Sequence, residues 1–145
     1  MAGDLVVGVG GAGSGYAAAR TAARVADLMN VTLVLVFGYE AVAMGPRGGA
    51  LEEEIAAVGT EAVAAIRDEL AVSYPKLTID VEMVQQRPVD ALIDVAAARG
   101  AAVIAVGHGG SGPLKAALLG SITYEIVHRA PLPVLVVPND PADDE

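Results

Sequence analysis

Five short aliphatic runs alternate along this chain with segments of helical spacing, and that alternation limits the folds open to it. Leu5 to Val9, Val31 to Phe37 and Ala101 to Val106 are nearly unbroken stretches of Val, Leu, Ile and Ala, as expected of strands covered on both faces. Leu77 to Val84 instead sets Leu77, Ile79, Val81 and Met83 against Thr78, Asp80, Glu82 and Val84. A strand with one wetter face, near a sheet edge, fits that pattern. Val134 to Val137, after Pro131 and Pro133, reads as the last strand.

The intervening segments read as helices. Tyr16 to Met29 carries Ala18, Ala22, Val25, Leu28 and Met29 at helical spacing, and Asn30 suits a left-handed C-terminal cap. Tyr39 to Ala50 reads as a loop. Leu51 to Tyr74 follows with a stripe of Leu51, Ile55, Val58, Ala62, Ile66 and Leu70, stopped by Pro75. Pro88 opens a helix facing inward through Val89, Leu92, Ile93 and Ala96 and ended by Gly100. Leu114 to Arg129 is the last helical segment. Strand and helix in strict alternation predict an α/β fold, a parallel sheet with helices on both faces. At 145 residues the chain is sized for one domain, with residues 139–145 as a short acidic tail expected to fray.

Composition narrows the partners. With 9 Lys and Arg against 18 Asp and Glu, the formal charge is −9, unsuited to nucleic acid or anionic lipid. There is no Cys, hence no disulfide framework and no thiolate nucleophile. No apolar run reaches the roughly 18 residues of a membrane span, and Met1 to Asp4 lacks a basic segment, so a cytoplasmic location is expected.

Glycine follows two of the strands. Gly8, Gly10 and Gly13 fit G-x-G-x-x-G between a strand and a helix, the setting of a dinucleotide fingerprint. The expected acid about 20 residues on is missing, however: Leu33, Val34 and Leu35 occupy that region, and Glu40 lies beyond the strand. An NAD or FAD site is therefore the weaker reading, and a tight strand-to-helix turn the plainer one. The second loop, after Val103 to Val106, carries Gly107, Gly109, Gly110 and Gly112, and then Gly120-Ser121 inside the following helical pattern. N–H groups of Gly109, Gly110 and Ser111 could surround a phosphate. A glycine in mid-helix costs about 1 kcal/mol relative to Ala, so Gly120 calls for close packing or ligand approach.

The spacing of Gly107, Gly110, Gly120 and Ser121, G-x2-G-x9-G-S, resembles the ATP-binding subgroup of the universal stress protein family. L-V-V-G-V at the start, P-V-D-A-L-I-D-V-A before the fourth strand and P-L-P-V-L-V-V-P at the end extend that resemblance over residues 1–138. It implies a three-layer, Rossmann-like fold with five parallel strands in order 3-2-1-4-5. It implies a stress-response regulator binding ATP, or AMP, ADP or cAMP, with Mg as a companion ion. The adenine end would meet Gly10, Gly11, Ala12 and Gly38. Ribose and phosphates would meet Val106, Gly107, His108, Gly109, Gly110, Gly120, Ser121 and Ile122. It also implies a homodimer through Val134 to Val137, with a nucleotide-free dimerising domain of the same family as the alternative. The chain departs from the family where Asp-Gly-Ser usually ends the first strand. Gly10, Gly11 and Ala12 stand there, without the carboxylate. Ala102 replaces a usual Asp, and His108 comes one place early.

Other residues have plainer readings. Lys115 could reach phosphate oxygens or simply be solvated, and Arg87 could face a ligand or a partner chain. Glu52, Glu53 and Glu54 suit a helix start, and His128 and Arg129 a helix end. No general base sits in either glycine loop, so no catalytic residue is expected, and Ser121 is expected to hydrogen-bond a phosphate rather than accept a phosphoryl group.

Overall fold

The computed structural model describes residues 3–10, 15–40, 48–109 and 120–138. Nine elements alternate strictly: β1 (Leu5–Gly8), α1 (Tyr16–Met29), β2 (Leu33–Gly38), α2 (Gly48–Ser73), β3 (Ile79–Val84), α3 (Pro88–Arg99), β4 (Val103–Gly107), α4 (Ser121–Arg129) and β5 (Val134–Val137). All strand pairs are parallel, and the order is β3-β2-β1-β4-β5. Residues 41–47 and the acidic tail at 139–145 lie outside the described residues.

Side-chain alternation in the central strands divides the core into two layers. Leu5, Val7, Leu33, Leu35 and Phe37 face α1 and α2, whereas Val6, Val34, Val36, Ile104 and Val106 face α3 and α4. α1 meets the sheet through Ala18, Ala19, Ala22, Ala23 and Ala26, all fully buried. Five such short side chains let the helix axis lie close to the strands, and a larger residue there would overpack.

The strands begin later than the apolar runs suggest, for a local reason. Asn30 and Gly100 both adopt left-handed backbone, with φ of 59° and 60°. The next residues then donate back into the helices: Val31 N to Ala26 O at 3.1 Å and Ala101 N to Ala96 O at 2.9 Å. Both are helix-closing bonds, so Val31 and Ala101 belong to the exits of α1 and α3 rather than to β2 and β4.

α2 departs further from expectation. It begins at Gly48 rather than Leu51, which leaves no acid in its first turn and moves Glu52 to Glu54 past the helix start. Its buried face is also rotated. Val58 is 56% exposed, while Val63, Ile66 and Leu70 are buried. Gly59 explains the rotation. A Cβ there would come within 2.4 Å of the ring of Phe37, the only Phe of the chain, so the helix seats a position without a side chain on that ring.

The two sheet edges differ. β3 carries Asp80 and Glu82, which with Asp4 surround the Arg99 guanidinium at 2.9, 3.4 and 3.2 Å. These ion pairs tie the end of α3 to the beginnings of β1 and β3. The hydrogen bond Arg99 donates to Asp80 and, after the opposing desolvation, that to Asp4 hold Arg99 above the ordinary arginine range. β5, at the other edge, reads Val-Leu-Val-Val, and only Val137 is fully buried.

Candidate functional site

The strand order reverses between β1 and β4, which are direct neighbours in the sheet. In open sheets of this kind, the crevice beyond the carboxyl ends at such a reversal receives ligands. Both glycine loops leave from that crevice.

On the β4 side, backbone contacts define the loop. His108 N donates to Val137 O at 2.7 Å, and Gly120 N donates to His108 O at 3.0 Å. Gly109 has a φ of 70°, and a Cβ on it would fall 2.8 Å from Gly120 Cα. The loop therefore doubles back on the residue that opens α4, and only glycine fits there. Thr123 Oγ donates to Gly107 O from the first turn of α4 and is just 3% exposed. The hydroxyl thus couples α4 to the end of β4. His108 Nδ1 lies 3.2 Å from Gly109 O. A carbonyl can only accept, so that contact needs the proton on Nδ1.

Gly120 is not inside a helix, contrary to the sequence reading. Its backbone is extended (φ −65°, ψ 160°) and Ser121 is the first residue of α4. The return contacts with His108 and Gly109 break the helical pattern at this point. The helix start carries no side-chain cap, and its first internal bond is Tyr124 N to Gly120 O at 2.9 Å. The N–H groups of Ser121 and Ile122 precede that bond, as orphan donors at the positive end of α4.

On the β1 side, packing accounts for several glycines. A Cβ on Gly8 would meet Leu92 at 3.1 Å, and one on Gly15, whose φ is 87°, would meet Gly8 O at 2.7 Å. Gly10 follows β1 and is half-buried. A Cβ on Gly38, at the end of β2, would fall 2.9 Å from Pro88 Cα and 3.0 Å from Ala91 Cβ, so its missing side chain makes room for the start of α3. Gly11, Ala12, Gly13, Gly110, Ser111, Gly112, Leu114 and Lys115 lie outside the described residues.

Around the α3 and α4 starts runs an open groove lined by Glu40, Arg87, Pro88, Val89, Ser121, Ile122 and Glu125. It brings together Ser121, Ile122 and Arg87 from the sequence reading and adds Glu40 and Glu125. Four charged groups close a ring beside it. Arg87 reaches Asp90 at 3.1 Å and Glu125 at 3.2 Å, and Arg129 reaches Asp90 at 3.0 Å and Glu125 at 2.6 Å. Hydrogen bonds from Arg87 and then Arg129 hold the Asp90 carboxyl below the usual carboxylate range. Arg87 is thus engaged by the protein itself.

Thr123 escaped the sequence reading, although a hydroxyl two residues after Ser121 was its available signal. Arg87–Asp90 and Arg129–Glu125 are local pairs, but the closure of the ring had no local signal, because Arg87 and Glu125 are 38 residues apart.

Comparisons with known proteins agree with this architecture. The sequence profile of the universal stress protein family matches residues 1–138. A universal stress protein of Mycobacterium tuberculosis is 31% identical over 146 residues, covering 95% of this chain and 48% of its own. The chain spans about half the length of the curated relatives it matches. Among solved structures, the universal stress protein UspA of Lactobacillus plantarum superposes with a TM-score of 0.78 at 21% identity, covering 93% of this chain and 97% of that one. A universal stress protein in complex with cAMP gives 0.70 at 26% identity, covering 93% and 96%. Among the described residues no helix is long and apolar enough to cross a membrane. With its sheet order and its profile match over residues 1–138, the chain belongs to the universal stress protein family.

Proposed function

We propose that this chain binds ATP, or a related adenine nucleotide, at the β1/β4 crevice and acts in the cytoplasm as a homodimeric stress-response regulator. One observation carries the reading. The uncapped start of α4, with Gly120 folded against His108 and Gly109, leaves backbone donors at a helix N-terminus beside the strand reversal. Such a terminus favours phosphate through its N–H groups and its dipole together. Ser121 adds a hydroxyl in the same groove. The cAMP complex of a relative supports an adenine nucleotide as the ligand class. Mg would accompany ATP on the phosphates themselves. Residues Val134 to Val137, on an edge strand with little charge, are the proposed dimer contact.

Thermal melting with and without millimolar ATP-Mg tests the proposal. A ligand at 100 times its Kd adds about 2.7 kcal/mol, which for a domain of this size is on the order of 8 °C. No shift, together with no nucleotide released from the denatured protein, refutes it. The same pair of results would favour the second reading, a nucleotide-free dimerising domain. That reading draws on Gly10, which offers no carboxylate where β1 ends.

A further inference from the structure

We infer that Glu40 sets the sugar specificity of the crevice by accepting hydrogen bonds from the ribose hydroxyls of the bound nucleotide. The inference rests on the nucleotide-binding reading and goes beyond it in naming the residue and the part of the ligand it recognises.

The end of β2 puts Glu40 in position. Phe37 and Tyr39 stack with ring centroids 6.0 Å apart, and both pack in the layer shared with α1 and α2. Tyr39 N donates to Val84 O at 3.0 Å, so the extended pairing continues one residue past the strand. Alternation then sends Gly38 and Glu40 to the opposite face, toward α3 and α4. Gly38 is seated against Pro88 and Ala91, which anchors this strand end to the start of α3. Glu40 accordingly lines the groove that also contains Ser121 and Ile122.

The other charges of the groove are already committed. Arg87 is held by Asp90 and Glu125, and Glu125 accepts from both Arg87 and Arg129. Among the described residues Glu40 has no hydrogen bond or ion pair. It is the carboxylate of this groove with neither oxygen engaged, whereas Glu125 takes both arginines on Oε2. An ionised carboxylate only accepts, and it can take two donors at once, which matches a pair of neighbouring sugar hydroxyls. Glu40 lies two residues past β2, a little beyond the strand-end position where dinucleotide-binding sheets place an acid that holds a ribose. In this chain no acid at Gly10 competes for that task.

The test is calorimetric titration of wild type, E40A and E40Q with ATP, 2′-deoxy-ATP and 3′-deoxy-ATP. Melting curves without nucleotide check that the variants fold; Glu40 is exposed, so they should match wild type. Wild type is expected to prefer ATP over each deoxy analogue by roughly tenfold or more, the scale of a hydrogen bond to a charged group. E40A is expected to bind all three with similar, weakened affinity, while E40Q retains part of the preference through its amide oxygen. A wild type indifferent to the sugar hydroxyls, or an E40A variant with undiminished preference, overturns the inference while leaving nucleotide binding intact. Absence of binding by wild type to all three nucleotides overturns both readings at once.

Discussion

Thr123 offers the sharpest test of how the crevice is held in shape. Its hydroxyl is buried at the junction of α4 and β4 and donates to the Gly107 carbonyl. Thr123→Val keeps the shape of the side chain but turns a methyl toward that carbonyl. An unpaired buried acceptor costs about 1–3 kcal/mol, partly offset by the roughly 0.8 kcal/mol gained from an added buried methyl. The expected net loss is about 1–2 kcal/mol, or roughly 3–6 °C in Tm for a domain of this size. Thr123→Ser keeps the donor and loses only a methyl, a loss of about 1 kcal/mol. Stability alone separates these variants poorly, so the decisive assay is the Tm shift produced by ATP-Mg. The Ser variant should retain the wild-type shift. The Val variant should lose much of it, because α4 is no longer coupled to the end of β4. Equal shifts in the two variants would refute the idea that the hydroxyl organises the site.

Other predictions follow from individual contacts. Gly109→Ala places a Cβ 2.8 Å from Gly120 Cα at a φ of 70°, so it should lower stability by more than the roughly 1–2 kcal/mol of left-handed backbone alone, as read by urea denaturation. Gly59→Ala should destabilise by about 1 kcal/mol, since overpacking against Phe37 outweighs the gain in helix propensity. In a Phe37→Leu background the sign should reverse, and a double-mutant cycle would show it. Asp90 has a folded-state pKa below its unfolded value, so its contribution is complete above the ordinary range and fades as pH falls through the lowered value. Wild type should therefore outmelt Asp90→Asn near neutral pH, and the gap should narrow as the pH falls below the ordinary carboxylate range.

How much of this was legible in the sequence depended on whether the determining contact was local. The apolar runs and the helical spacing between them were enough for the parallel sheet, and the Asn30 cap and the exposed-edge character of β3 were readable from adjacent residues. The rotation of α2 was not. Val58 and Gly59 are neighbours on one helix, and a ring on another element, Phe37, decides which of them faces inward. Gly120 misled for a related reason. Its segment has helical composition, but the turn at Gly109 brings it back against the β4 loop and opens α4 at Ser121. The groove was half visible: Ser121 and Ile122 belong to a recognisable spacing, whereas Glu40 and Glu125 join them only through the fold.

The unlike edges of the sheet bear on how copies can meet. β3 contributes Asp80 and Glu82, already drawn toward Arg99, and a second β3 laid alongside would bring like charges together. β5 presents Val134, Leu135 and Val136 with no such obstacle. A sheet that is receptive along just one margin cannot add units indefinitely. The proposed pairing through β5 would use that margin on both copies, leave β3 facing outward on each side, and end growth at two.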